Sequence, residues 1–399
     1  MLEAKGAAAG LANLAIKLTG SASVDNAKQH VRAALAGKLA DSSIKAQIEI
    51  AGFAAPAIRF DVEADQIDLD RYLPQPAPGG GKPGGDHKQA AAKETPIDLT
   101  GLRSLHADGK LKIGAFKANN VRASDVRMDL KAQGGHVDIN PLNATFYQGA
   151  LASHIAINAA PAVPTFAVKH NMNGISIGPF LKDLANNDML EGKGNVTVDV
   201  TTQGNTFGAI KRALNGTAAL NLADGAVKGI DIAGSIRDAK AKLGALRGEQ
   251  AQAADKSQKT DFSELTATFA IKNGVAHNND LSLKSPLLRV GGEGDVNIGE
   301  DAINYLVKAS IVGTSKGQGG RETDELHGLT VPVRVAGPLA APSYKLDFNA
   351  MATDTAKQKV MDELQKRLGG GAAAGDAAKK DESKPGGSNR DKLRGLFGR

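Results

Sequence analysis

The chain has 399 residues, of which 41% are hydrophobic but only 4% aromatic, and it contains no Trp and no Cys. The missing Cys excludes disulfides, thiolate metal sites and a thiol nucleophile, and the length is sufficient for two or three domains. The formal net charge of +6 comes from 49 basic against 43 acidic residues. Because these charges alternate along the chain rather than cluster beside aromatic side chains, they predict a solvated protein surface and argue against a nucleic-acid partner.

Strict alternation of apolar and polar residues is the main pattern in the chain. Val126, Met128 and Leu130, for example, alternate with charged residues. Successive side chains of a strand point to opposite faces of a sheet, so this alternation predicts a long antiparallel sheet with one apolar and one solvated face.

Residues 1–73 form the first predicted segment, which is β-rich with one helix. Alternating residues at 44–50 and 58–64 predict two strands. Before them, Ser23 or Asp25 is expected to cap a helix that has one apolar stripe. The stripe consists of Val31, Leu35 and Leu39.

The rest of the chain divides by composition. Residues 74–96 are rich in Pro, Gly, Lys and Ala, and predict a flexible linker. The strand pattern returns over residues 97–350, which are expected to form one β domain with an internal helix over 229–250. A closing helix is predicted over 351–368, followed by a disordered basic tail over 369–399.

Five Asn-Gly or Asp-Gly pairs predict tight hairpin turns, because both residues of each pair tolerate a positive φ. Each pair is expected to join two neighbouring strands. The pairs are Asp108-Gly109, Asn173-Gly174, Asn215-Gly216, Asp224-Gly225 and Asn273-Gly274.

No residue pattern in the chain predicts catalysis. The eight His residues are scattered, and none is paired with a Glu base at helical spacing. The Gly-rich stretches lack the spacing of a phosphate-binding loop, and none contains a central serine nucleophile. We therefore expect no enzyme activity, no catalytic residue, no metal and no cofactor. An unrecognised hydrolase is the last-ranked alternative, and a His and a carboxylate clustered in a cleft would favour it.

Several segments, taken in order, resemble the C-terminal region of the AsmA family. One of them, Gly135-His136-Val137-Asp138-Ile139-Asn140, leads into Phe146-Tyr147-Gln148-Gly149, where the family usually has an aromatic residue and paired glycines. The resemblance extends over residues 40–350. The other segments that carry it are 109–113, 126–130, 214–231 and 261–294.

The resemblance implies a cell-envelope protein that supports outer-membrane biogenesis and is periplasmic and inner-membrane associated in its full-length form. It also implies a fold that is mainly β with a few helices. The long curved antiparallel sheet would form a groove or an open-barrel-like structure, and α-helices would cover part of its apolar face. The family's N-terminal transmembrane helix has no counterpart here, so we expect a C-terminal portion of such a protein. Neither a signal peptide nor a span of roughly 20 apolar residues is found in this chain.

Related β-groove proteins carry lipid between membranes, so the expected function is non-enzymatic shielding or conduction of lipid along an apolar groove. Burial of one methylene contributes about 0.8 kcal/mol, so a lipid tail of ~16 carbons gains on the order of 10 kcal/mol. The expected partner is a phospholipid or another envelope lipid. The candidate groove residues are Val126, Met128, Leu130, Val137, Ile139, Phe269, Ile271, Val307, Ile311, Val333 and Val335.

Two alternatives remain open. The same side chains would also serve as a closed core, because a core and a groove both need one dry sheet face. The alternative function is a scaffold or assembly factor that contacts outer-membrane proteins, or their assembly machinery, through the edges of the sheet.

Overall fold

The computed structural model describes residues 2–8, 11–71, 94–229, 252–253, 255–286, 288–312 and 330–346. These residues belong to one compact unit, Met1–Met351. Several predicted segments lie outside the described residues. They are the linker up to residue 93, the internal helix apart from Gly229, the closing helix and the basic tail.

Nineteen strands pair into one sheet. The first five are β1 (Leu2–Ala8), β2 (Leu11–Asp25), β3 (His30–Leu39), β4 (Ser42–Ala51) and β5 (Ala57–Asp68). The next seven are β6 (His106–Ala118), β7 (Val121–Gln133), β8 (His136–Phe146), β9 (Gly149–Asn158), β10 (Thr165–Ser176), β11 (Leu190–Gln203) and β12 (Asn215–Gly229). The last seven are β13 (Gln252–Ala253), β14 (Asp255–Lys272), β15 (Val275–Lys284), β16 (Leu288–Asn297), β17 (Ala302–Ile311), β18 (Thr330–Pro338) and β19 (Ser343–Leu346).

The helices of the described residues are short. A single 3-10 turn, Leu69–Arg71, follows β5. The α-helices are α1 (Thr100–Arg103), α2 (Ile177–Ala185) and α3 (Phe207–Arg212). The structure is mainly β, with one long curved sheet and few helices, and this confirms the predicted fold class.

The strands lie beside one another almost in chain order, and each is antiparallel to its neighbours with one exception. β5 and β6 are parallel, with Val62 opposite Leu111. Parallel neighbours require a long crossover connection, and here residues 69–105 return the chain to the start of β6. Near the C-terminus, β12 pairs with β14, and β13 pairs with β19. The last strand, β19, therefore lies beside β13, the short strand that precedes β14.

The predicted N-terminal helix is wrong, because residues 23–39 form the end of β2, a turn and β3. A spacing of four residues places Val31, Leu35 and Leu39 on one side of a helix, but it also places them on one face of a strand. The burial of β3 alternates along the strand, with Ala33 on the same half-buried face. Hydrogen bonds to β2 and β4 on both sides select the strand.

Only one of the five predicted hairpin pairs joins two strands. Asn273-Gly274 connects β14 to β15, with φ angles of 49° and 77°. The other four pairs lie within β6, β10 and β12. Asp224, for example, has a φ of 48° and is absent from the register of β12 with both neighbouring strands, as at a β-bulge. A positive φ suits bulges as well as turns, so these dipeptides do not distinguish the two.

The two faces of the sheet differ in the way that the alternation predicted. Cross-strand ion pairs lie on the solvated face, including Lys112–Glu63 at 2.9 Å and Lys308–Glu293 at 2.8 Å. The opposite face, to which Leu222 points, is called the apolar face below. From β7 to β17 it carries the main core, which includes Ile175, Leu222 and Leu288. Their side chains are at most 2% exposed.

Candidate lipid-binding face

The apolar face of β3, β4 and β5 carries a row of half-buried side chains, which we call uncovered in the sense that almost no residue of these strands belongs to a hydrophobic cluster of the described residues. Ile48 lies opposite Ala33 on β3 and Phe60 on β5, so the side chains form a continuous row across the three strands. The hydrophobic clusters formed by the described residues include none from β3 or β4 and only Ile67 from β5. We call these residues the aliphatic row; each is half-buried. They are Val31, Ala33, Leu35, Ile44, Ala46, Ile48, Ile50, Ile58, Phe60 and Val62.

A cavity of about 970 Å³ continues the aliphatic row at one end of the sheet. Ile58, at the start of β5, belongs both to the row and to the cavity wall. Val137, Ile157 and Phe166 line the cavity from β8, β9 and β10. This volume lies at the upper end of the range for small-molecule sites. Charged and polar side chains, Lys131 among them, line the same cavity, so its wall is mixed and continues the aliphatic row only on its apolar side.

Helix α2 covers the apolar face at the opposite end. The rings of Phe146 and Phe180 lie 5.3 Å apart, and the Tyr147 ring meets Phe146 edge-on at 4.7 Å. The Tyr147 hydroxyl donates a 2.8 Å hydrogen bond to Asp183 of the helix. Burial raises the pKa of Tyr147 to about 12, so the phenol keeps its proton at neutral pH. The helix thus closes the end of the face that contains the main core.

The last part of the crossover connection, residues 94–105, crosses the cavity end of the sheet. The Glu94 carboxylate accepts a 2.9 Å hydrogen bond from the Gly208 amide in α3, and a hydrogen bond from Thr206 lowers its pKa. Arg103 donates to the Ala159 carbonyl at 2.8 Å. The apolar side chains of this segment are half-buried. They are Ile97, Leu99, Leu102 and Leu105.

The predicted groove residues divide into buried and half-buried positions. Val126, Val137, Ile271 and Val333 are buried. Val137 also lines the cavity. Ile311 pairs with Leu288 in the sheet, and its side chain lies outside the described structure. The half-buried members are Met128, Leu130, Ile139, Phe269, Val307 and Val335. Contact of any of these residues with lipid remains a prediction.

The aliphatic row itself was missing from the predicted groove residues. Ile48 and Phe60 were recognised as strand residues, and their alternation is the same as that around Val126. Whether another layer packs over a strand depends on distant parts of the chain. Alternation could therefore indicate the apolar face but not its uncovered part.

The wall of the cavity also carries polar side chains that could act as a different kind of site. They include His106, Asp108, His136 and Asp138. No group of three or more His, Asp or Glu side chains in the described part of the chain could hold a metal ion. His154–Asp138 and His277–Asp295 are hydrogen-bonded pairs with exposed side chains. Within the same residues, no helix is long and apolar enough to cross a membrane.

One long sheet with a partly uncovered apolar face defines the structural class of this protein. The model of the AsmA family matches residues 3–281, which is more than half of the sequence, so the chain belongs to the AsmA family. It is similar to Protein AsmA of Escherichia coli (strain K12), with 22% identity over 338 residues. The match covers 82% of this chain and 54% of that protein, so the chain spans about half the length of its curated relative. No solved structure matches it.

The family match confirms the resemblance inferred from the sequence segments. Membership of the family suggests an envelope-associated protein that is involved in outer-membrane assembly.

Proposed function

We propose that this chain shields or conducts the acyl chains of envelope lipids along its apolar face, as a non-enzymatic component of outer-membrane assembly. The observation that carries this proposal is the aliphatic row, which is uncovered by the described clusters and continues into the cavity at Ile58. An acyl chain on this surface would remove apolar area from water on both partners.

The dimensions of the face suit an acyl chain. Eight neighbouring strands, β3 to β10, lie about 4.8 Å apart and extend over roughly 34 Å. The hydrocarbon core of a bilayer, about 30 Å thick, contains two opposed chains, so the face is long enough for one extended acyl chain. A tail of ~16 carbons would gain on the order of 10 kcal/mol by leaving water, so even partial burial on the row would favour binding.

The composition of the row favours movement along it. From Val31 to Val62 the row consists of aliphatic side chains and Phe60, whereas the charged residues of these strands point to the other face. Arg32 and Glu49, for example, pair there at 2.9 Å. Since no charge on the row holds a lipid at one place, shifting an acyl chain along it would exchange one apolar contact for another.

Site-specific photo-crosslinking tests the proposal. A photoreactive amino acid at Ile48 places the probe on the aliphatic row, and the same amino acid at exposed Gln47 places it on the solvated face of the same strand. We expect phospholipid adducts from position 48 and few or none from position 47, after irradiation in cells that have two membranes. Mass spectrometry of the purified chain should also show bound phospholipid. Absence of lipid from both measurements would contradict the proposal.

A charge on the row provides a matched pair of variants. Ile48→Lys should reduce the binding of a fluorescent phospholipid, because the ammonium group would have to remain solvated beside the acyl chain. Gln47→Lys adds the same charge to the other face and should bind as the unchanged protein does. Circular dichroism shows whether both variants keep their strands. Equal lipid binding by both folded variants would argue against the row as the binding surface.

A second candidate function rests on an edge of the sheet. β1 is hydrogen-bonded to β2, and none of the strands in the described ranges pairs with its other side. Such an edge could add a strand from an outer-membrane protein, which is the scaffold function. Crosslinkers placed along β1 would then give protein adducts, while position 48 would give no lipid adducts.

A further inference from the structure

Ser153 and His170 form a polar pair on the apolar face. They lie opposite each other on β9 and β10, and the Ser153 Oγ is 2.7 Å from the His170 Nδ1. Every neighbour of this pair on the same face is apolar. These neighbours are Leu151 and Ile155 on β9, Val168 and Met172 on β10, Leu142 on β8 and Val198 on β11.

The pair leaves one ring nitrogen of His170 available. Nδ1 is occupied by Ser153, and no hydrogen bond or ion pair is formed by Nε2 with any residue in the described ranges. His170 is half-buried, whereas Ser153 is buried. No fully buried side-chain nitrogen or oxygen lacks a hydrogen-bond partner in the described structure, so Nε2 reaches accessible space rather than the packed interior. Because the surrounding wall is apolar, a hydrogen bond made by this nitrogen is electrostatically stronger than the same bond in water.

The position of the pair links it to the cavity. His170 lies four residues from Phe166 of the cavity wall, on the same face of β10, and so roughly 13 Å deeper along the strand. Beyond it, Met172 and Ile175 are 5% and 0% exposed. The pair therefore lies where the accessible part of the apolar face ends and the packed core begins.

We propose that Ser153 and His170 bind the acyl carbonyl group of a lipid whose chain lies on the apolar face. In this site the Ser153 hydroxyl donates to Nδ1, and Nε2–H donates to the carbonyl oxygen. The proposal rests on the proposed function, since it requires acyl chains to enter the cavity. A simple fatty-acid ester and a diacyl phospholipid both supply a neutral carbonyl.

The surroundings favour a neutral polar group over a charged one. The six residues around the pair are apolar, so a phosphate or an ammonium group would be buried there without a counter-ion. A carbonyl group needs only one hydrogen-bond donor, and neutral imidazole supplies it. The site would therefore retain the ester end of an acyl chain and leave a charged head group elsewhere.

Three ligands and two variants test the site. Methyl palmitate, a dipalmitoyl phospholipid and its ether-linked counterpart share the same alkyl chains, but the ether-linked lipid lacks the carbonyl. The unchanged protein should bind both acyl ligands more tightly than the ether-linked lipid. His170→Phe should weaken binding of the acyl ligands by roughly three- to tenfold, the effect of one lost hydrogen bond, and leave the ether-linked lipid unaffected. A larger loss for methyl palmitate than for the phospholipid would identify the simple ester as the source of the carbonyl, and the reverse would identify the phospholipid.

His154→Phe is the matched control. His154 is the chain neighbour of Ser153, but its side chain points to the solvated face and bonds to Asp138 at 2.7 Å. This variant should bind all three ligands as the unchanged protein does. A measurement without any substitution is the ¹⁵N resonance of His170 Nε2, which should shift with either acyl ligand and not with the ether-linked lipid.

The outcomes separate this site from the proposed function. If the unchanged protein binds all three ligands equally and the Nε2 resonance stays in place, the carbonyl site is wrong while lipid binding stands. If none of the three ligands binds, both proposals fail.

Discussion

The hydroxyl of Tyr147 joins the turn after β8 to helix α2 through its 2.8 Å hydrogen bond to Asp183. The same hydroxyl accepts a hydrogen bond from the Arg122 amide at the start of β7. One phenol thus connects three parts of the chain at the end of the sheet that α2 closes. The Asp183 carboxylate also lies 3.6 Å from the Arg122 guanidinium, so the phenol and this ion pair together hold the helix.

Tyr147→Phe should therefore loosen α2 while leaving the aromatic contact with Phe180 in place. Loss of a hydrogen bond to a carboxylate should lower the free energy of unfolding by about 1–2 kcal/mol. Hydrogen exchange should increase over Ile177–Ala185 and stay unchanged in β3. Asp183→Asn, which keeps an acceptor for the phenol but removes the 3.6 Å ion pair with Arg122, should also loosen the helix. Unchanged protection of α2 in the Tyr147 variant would show that the apolar contacts and the ion pair hold the helix without the phenol.

Truncation of leucines should distinguish the packed core from the aliphatic row. Leu222 is 0% exposed, so Leu222→Ala should cost about 2–5 kcal/mol through lost contacts and a remaining cavity. Leu35 is half-buried and belongs to the uncovered row, so Leu35→Ala should cost about 1 kcal/mol. Urea unfolding at equilibrium measures both values. A loss at Leu35 as large as that at Leu222 would mean that another layer covers β3.

Burial lowers the pKa of His170 from its ordinary value, so the folded state favours neutral imidazole. Between this lowered pKa and the unfolded value of about 6.5, the unfolded chain binds more protons than the folded chain. The contribution of His170 to stability is therefore present above about pH 6.5, declines as the pH falls through this window, and is lost below the folded pKa. Comparison of unfolding free energies at pH 7.5 and pH 5 should show a larger decrease in the unchanged protein than in His170→Phe. An NMR titration in which His170 titrates above pH 6.5 would reverse the sign and contradict this prediction.

Glu94 anchors the crossover segment to α3. Glu94→Gln weakens the hydrogen bond to the Gly208 amide and removes the charge that lies 3.6 Å from Arg212. Amide exchange of Gly208 and of residues 94–99 should become several-fold faster. The melting temperature should change little, because exposed ion pairs contribute little to global stability. Glu293→Gln, which breaks an exposed pair on the solvated face, is the control and should leave exchange at Gly208 unchanged.

Much of the fold follows from local sequence. The alternation of apolar and polar residues determines the strands and the face to which each side chain points, because the period of two leaves no other assignment for long segments such as Ile303–Ile311. Local information is insufficient where two structures share a pattern. Val31, Leu35 and Leu39 fit a helix as well as a strand, and Asp224-Gly225 fits a turn as well as a bulge. Pairing with neighbouring strands decides both cases.

The sequence by itself determined that the chain builds a sheet with one apolar and one solvated face. The tertiary structure decided which part of the apolar face is packed and which part is accessible. Leu222 and Ile48 have similar local patterns, yet Leu222 lies in the core whereas Ile48 lies on the uncovered row. The pairing of Ser153 with His170 likewise depends on the register of β9 and β10. Burial and register result from contacts between residues far apart in the chain. The alternation of neighbouring residues therefore does not predict either of them.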